Sequence, residues 1–172
     1  MPLLHLYVAA SVDGYIATPD GGIGWLAPFE EQDYGYDDFI AGIGTVVMGR
    51  RTFDQTRSFD VWPYAGKRTV VLTSRPLPSP PPGVAMWSGN VVPLIDSLRE
   101  GDGGDVWLVG GALAVRPFLD YDAVDRLDLH IIPILLGDGI RLFDRSSHAA
   151  RLRPRKTLSY RNGVVRVIYE KE

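Results

Sequence analysis

The chain has 172 residues, of which 45% are hydrophobic and 23% charged, with a net charge of −3 and no cysteine. That length supports one well-buried core and excludes two ordinary domains, so a single domain over 1–172 is expected. The acidic balance argues against general nucleic-acid binding, which needs a broad basic surface, and the lack of cysteine excludes disulfides, thiolate metal sites and thiol nucleophiles.

The opening Met1-Pro2-Leu3-Leu4-His5-Leu6 has no basic leader region. No apolar run is long enough to span a bilayer, so a cytoplasmic protein without membrane contact is expected. Residues 3–10 are largely apolar and read as a central strand covered on both faces. After Ser11-Val12-Asp13-Gly14 comes a short extended piece, Tyr15-Ile16-Ala17. Residues 18–24 are turn formers, three of them glycine, and make a flexible loop suited to act as a lid. Trp25 closes it, and residues 30–42 read as a loosely amphipathic helix.

The next stretch carries the strongest chemical signal. Val46-Val47-Met48 reads as a buried strand, and Gly49-Arg50-Arg51-Thr52 follows at once, opening a short helix over 52–56. A glycine lets a ligand approach the backbone closely. Arginine supplies a fork of donors for phosphate, and a helix N-terminus adds oriented N–H groups. On this reading Arg50 pairs with a phosphate, while Thr52 caps the helix and donates its hydroxyl.

The arrangement recurs twice. The strand over 68–72 runs into Thr73-Ser74-Arg75, and Val106-Trp107-Leu108-Val109 runs into Gly110-Gly111-Ala112 and a helix over 112–119. The spacing is not GxGxxG, so the fingerprint of the doubly wound dinucleotide fold is absent. Three strand ends with anion-binding chemistry still imply one extended, phosphate-rich ligand such as a dinucleotide. Between the last two, residues 76–83 (Pro-Leu-Pro-Ser-Pro-Pro-Pro-Gly) form an extended connector without secondary structure. A weak strand over 84–87 and a helix over 92–100 follow.

Residues 127–135 read as a strand, Gly137-Asp138-Gly139 as a tight turn and 164–169 as a final alternating strand. Strand–helix alternation followed by strands implies an α/β fold with a mostly parallel sheet and an antiparallel C-terminal edge. The apolar run 127–136 is expected to be an edge strand that a second copy covers, giving a homodimer. Basic residues also cluster at Lys67-Arg68 and at Arg151, Arg153, Arg155 and Lys156, where a solvated face is the simplest reading. His5, His130 and His148 are widely spaced, so no metal site is expected. There is no GxSxG elbow.

These fragments, in this order, resemble the dihydrofolate reductase superfamily. They are most similar to the reductase domain of the bifunctional deaminase-reductase of riboflavin synthesis and its stand-alone bacterial relatives. The resemblance is carried by Leu6-Tyr7-Val8-Ala9-Ala10-Ser11-Val12-Asp13-Gly14-Tyr15-Ile16-Ala17, Gly24-Trp25, Val47-Met48-Gly49-Arg50-Arg51-Thr52-Phe53, Leu72-Thr73-Ser74-Arg75, Val109-Gly110-Gly111-Ala112 and the run 124–139. It implies a three-layer α/β/α fold, a cis peptide at the double glycine and NADPH as cofactor. Arg50, Arg51, Ser74 and Arg75, beside Leu72 and Thr73, would hold the 2′-phosphate. Gly49, Thr52 and the turn Gly110, Gly111, Ala112 and Leu113 would hold the pyrophosphate. Ala9, Ala10, Ile16 and Ala17 would line the nicotinamide, and Ala9 and Trp25 would face a small-molecule substrate. The resemblance also implies an acid a few residues past the tryptophan, for which Glu30 and Asp33 are the candidates as proton donor. The His/Cys zinc signature of the deaminase half is missing, which excludes that chemistry for this chain. The implied reaction is hydride transfer from NADPH to a pyrimidine-like, pterin-like, imine or carbonyl acceptor. A non-catalytic NADP-binding module and a flavin-dependent reductase are the alternatives.

Overall fold

The structure, a computed structural model, describes residues 1–144 and 149–172; His148 lies outside them. Its strands are β1 (Leu4–Ser11), β2 (Tyr15–Ala17), β3 (Ile43–Gly49), β4 (Arg68–Leu72), β5 (Val84–Trp87), β6 (Asp105–Gly110), β7 (Arg126–Ile132), β8 (Ile140–Arg141), β9 (Leu152–Ser159) and β10 (Val165–Lys171). Its α-helices are α1 (Tyr36–Ala41), α2 (Arg50–Arg57), α3 (Val92–Arg99) and α4 (Ala112–Asp120), with a 3-10 helix at Gly24–Phe29. The main sheet runs β5-β4-β3-β6-β1-β7-β10-β9. The first six of these strands are parallel, and β10 and β9 are antiparallel.

Period-two burial separates two cores. On one face Leu4, Leu6, Val47, Val70, Val106 and Leu108 pack with Leu94, Ile95 and Leu98 of α3 and Val115 and Phe118 of α4. On the other, Val46, Met48, Val71 and Trp107 pack with Phe53 of α2 and with Phe39 and Ile40 of α1. This is the three-layer α/β/α fold expected.

Three expectations are corrected. The helix expected over 30–42 begins only at Tyr36, because Gly35 in the left-handed region (φ 78) separates it from the preceding turn. Residues 127–136 are not an edge: β7 ends at Ile132 and is hydrogen-bonded on one side to β1 and on the other to β10. The dimer expected from that edge loses its stated basis. One true edge is β9, an element absent from the sequence reading. Its residues Arg153, Pro154, Arg155 and Lys156 lie exposed, a composition that discourages edge-to-edge pairing. Lys67 is not part of a solvated patch, since its ammonium donates to the carbonyls of Ile40 (2.8 Å), in the last turn of α1, and Ile43 (2.6 Å), the first residue of β3. A cation there complements the helix dipole.

A buried polar cluster joins the antiparallel strands to the parallel ones. Asp128 on β7, 3% exposed, takes two bonds from Arg166 on β10, from Nε (2.8 Å) and Nη2 (2.5 Å). Nη1 of Arg166 donates to the carbonyl of Tyr34 at 2.5 Å, and a Cβ on Gly35 would stand 3.2 Å from it. The Tyr34 hydroxyl accepts from Asn162 (2.6 Å) and donates to the Phe29 carbonyl (2.9 Å). The turn after the 3-10 helix is therefore tied to the C-terminal hairpin. His130 lies against Tyr7 and Tyr34, and its buried Nε2 has no partner among the described residues. Burial holds its pKa down at about 4, against the opposing pull of Asp128. Burial likewise raises the Tyr7 phenol.

Two outcomes follow from the cluster. Arg166→Met strands the Asp128 carboxylate in the interior and should cost about 3–5 kcal/mol in urea unfolding. Below about pH 6.5 the unfolded chain protonates His130 while the folded chain does not, so stability should fall from about pH 6.5 to about pH 4. The slope attributable to His130 approaches about 1.4 kcal/mol per pH unit. Replacing His130 by Gln should flatten it, as read from urea midpoints across that range.

Candidate cofactor and substrate site

The parallel register brings the three strand ends together. Gly49 at the end of β3 pairs with Leu72 at the end of β4, and Met48 pairs with Gly110 at the end of β6. Two helices start from this edge. Gly49 is the N-cap of α2 and Gly111 the N-cap of α4, both extended and neither with a side-chain capping bond. The first N–H groups of a helix have no intrahelical partner. In α4 the first internal bonds come from Ala114 and Val115, which both return to the Gly111 carbonyl (2.9 and 3.1 Å). The amides of Ala112 and Leu113 therefore precede them and face the edge as donors.

The glycines permit this closeness. A Cβ on Gly49 would lie 3.2 Å from the Ala114 Cβ and 3.8 Å from the Gly111 nitrogen. Gly110 has φ 133, and the Gly110–Gly111 peptide is cis. A Cβ on Gly111 would be 3.7 Å from Thr52 Oγ1, so that hydroxyl sits at the double-glycine turn. Thr52 is the third residue of α2 and not its cap, because the helix starts two residues earlier than its apolar pattern indicates.

Arg50 reaches from α2 toward the β4 end. Its Nε donates to both carboxylate oxygens of Asp54 (2.9 Å each), and Nη1 to the Pro76 carbonyl (3.1 Å). Thr73 Oγ1 accepts from the Arg75 amide at 3.1 Å, closing a turn that leaves Ser74 and Arg75 exposed. Arg51 is exposed beneath the loop 18–24: a Cβ on Gly21 would be 3.7 Å from its Cδ, Nε and Cζ. Asp20 in that loop has a lowered pKa, first because Thr18 donates to it (2.5 Å), then through the Gly22 amide, with a smaller contribution from Arg51.

In the last part of β1 and in β2, Ala10 and Ala17 are buried, and Ala9 and Ile16 are half-buried. Ala9 stands in register with His130. Trp25 is half-buried, and its indole N–H is buried without a partner among the described residues. Glu30 and Asp33 are both exposed, and the Asp33 carboxylate accepts from the Gly35 amide at 2.7 Å. The structure brings the three strand ends together and leaves these two acids on the surface. Leu113, the second residue of α4, is 86% exposed.

Sequence reasoning missed several contributors. Asp54 and the Pro76 carbonyl both fix Arg50; an acid four residues after an arginine in a helix was the available signal. Asp128 and His130, alternating within an apolar strand, marked a polar stripe, but Arg166 became their partner only through strand pairing. Asp13 holds the 136–139 turn against the base of the loop, accepting from the amides of Leu136 (3.1 Å) and Gly137 (2.7 Å). Its pKa is lowered to about 2, first by the Ser11 hydroxyl.

A family model for the RibD C-terminal domain matches residues 2–166. The chain belongs to that family. The Bacillus subtilis protein YwjB, itself uncharacterized, is 35% identical over 161 residues, 92% of each chain. A crystal structure of a Shewanella sp. PV-4 protein named for riboflavin biosynthesis is 27% identical, covers 99% of each chain and superposes with a TM-score of 0.88. Enterococcus faecalis dihydrofolate reductase, solved with NADP(H), shares the fold at 20% identity, covering 99% of this chain and 96% of its own, with a TM-score of 0.68. The family and the dihydrofolate reductase-like fold are thus those the motifs indicated. No helix among the described residues is long and apolar enough to cross a membrane.

Asp13→Ala removes the acceptor for two amides. Faster hydrogen exchange is expected at Leu136 and Gly137, with exchange in the middle of β1 unchanged. In the wild type this latch should hold above about pH 4 and be lost as the pH falls toward 2.

Proposed function

We propose that this chain binds NADPH along the edge formed by Gly49–Thr52, Leu72–Arg75 and Gly110–Leu113, and catalyses hydride transfer to a small heterocyclic, imine or carbonyl acceptor. The observation that carries the reading is the register that sets two uncapped helix starts beside an arginine fixed toward the β4 end. The residues present fit the cofactor: amide donors and a threonine hydroxyl suit a pyrophosphate, three arginines suit the extra phosphate, and bare glycines leave room for both. A family relative named for riboflavin biosynthesis and a fold relative solved with NADP(H) support the same reading.

NADPH supplies the hydride; the protein supplies orientation and exclusion of water. Arg50, Arg51, Ser74 and Arg75 bind the 2′-phosphate. Thr52 and the amides at the start of α4 hold the pyrophosphate. Ala9, Ala10, Ile16 and Ala17 present a small apolar surface, with room for a flat ring where larger side chains would intrude. The loop 18–24, resting on Arg51, covers the site from above. Trp25 faces the acceptor, and Glu30, Asp33 or a water delivers the proton.

The exposure of Glu30 and Asp33 favours one second reading, an NADP-binding module without turnover. The two separate in a pair of measurements. Calorimetry should detect NADPH binding to the wild type, and Arg50→Glu should weaken it about a hundredfold. Loss of nicotinamide absorbance with a pyrimidine, pterin or imine acceptor then establishes the reductase; binding with no turnover on any of them establishes the module. No heat with NADPH, or unchanged affinity in Arg50→Glu, rejects both.

A further inference from the structure

The acid Asp54 and the proline-rich connector 76–83 have no part in the reading above, yet both meet at Arg50. An arginine offers five N–H donors in a fixed plane. In Arg50 one goes to the Asp54 carboxylate and one to the Pro76 carbonyl, and among the described residues the other three have no partner. Two anchor points on different edges fix the plane of the guanidinium. The carbonyl anchor is itself held. Proline locks φ along the connector, Arg57 donates to the Pro78 carbonyl at 2.8 Å, and Leu77 packs on the core around Phe53. Just before the connector, the Arg75 amide donates to the Thr73 hydroxyl oxygen at 3.1 Å.

The Arg50–Asp54 pair is poorly explained by stability. It is a surface pair, with side chains 24% and 55% exposed, and such pairs contribute little. Its polarity is also the unfavourable one for a helix, the cation standing in the first turn and the acid four residues on. Its position makes sense if the geometry of the arginine is what matters.

We propose that Asp54 is a positioning residue for cofactor choice: together with the Pro76 carbonyl it pre-sets the Arg50 guanidinium so that its free donors meet the 2′-phosphate, and so favours NADPH over NADH. The proposal rests on the NADPH reading of the site. A loose arginine would lose side-chain freedom on binding, whereas a braced one has already done so.

The test is the ratio of NADH to NADPH dissociation constants, measured by calorimetry on the full chain. The two cofactors differ only in the 2′-phosphate, so the ratio cancels effects on folding or on the pyrophosphate grip. Asp54→Ala should lower the ratio about tenfold, roughly the worth of one charge-assisted bond. Asp54→Asn keeps an oxygen acceptor for Nε and should stay within about threefold of wild type. An unchanged ratio in Asp54→Ala overturns the proposal. So does a rise in both variants, since a carboxylate that merely repels the phosphate would act that way. A wild type that binds NADPH no better than NADH overturns the proposal together with the 2′-phosphate reading, whereas a wild-type preference that Asp54→Ala leaves intact overturns the proposal alone.

Discussion

Parallel pairing of β4, β3 and β6 in one register is the constraint from which the rest of the molecule follows. Parallel strands share a direction, so their carboxyl ends meet at one edge, and whatever the chain places just after each strand is gathered there. The pairing of Gly49 with Leu72 and of Met48 with Gly110 leaves three connecting segments no other place to go. Helices that begin directly from two of those ends point their unpaired amides at the same space. The anion site we propose therefore rests on topology before any side chain is counted.

Glycine decides whether that geometry is attainable. With a methyl at Gly49, α4 and β3 would be pressed together at 3.2 Å, tighter than carbon atoms normally sit. The side chains then add sign and selectivity to a backbone site, arginines for charge and Thr52 for a neutral donor.

The opposite end of the sheet solves a different problem. Asp128 and Arg166 would each be costly to bury alone. Paired, they bridge β7 and β10 and extend a bond to the Tyr34 carbonyl. This links the antiparallel hairpin to the turn behind Trp25, the wall on which an acceptor would rest. The hairpin is thus more than an appendage that completes the sheet; it is bonded to the turn that follows the 3-10 helix.

Much of this was legible in the residues themselves. Apolar runs ending in Gly-Arg-Arg-Thr, Thr-Ser-Arg and Gly-Gly-Ala located the β3, β4 and β6 ends and their chemistry, because buried strands and their glycine or hydroxyl terminations are local properties. The cis Gly110–Gly111 bond was implied by resemblance alone. Other features were invisible for a common reason: they depend on partners distant in the chain. Arg166 and Asp128 lie 38 residues apart, and the Pro76 carbonyl reaches Arg50 across 26. The exposed β9 edge read only as a solvated basic face, since without the neighbouring β10 nothing in its basic sequence signals a strand. Glu30 and Asp33 follow a tryptophan, the only signal the sequence offers for them; that both lie exposed, ahead of a helix that starts at Tyr36, is visible in the structure alone. Sequence by itself determined which strand ends carry anion-binding groups, because that is written in consecutive residues. Only the tertiary structure decided which groups share a site and which are buried, because register and strand pairing set distances that no spacing along the chain contains.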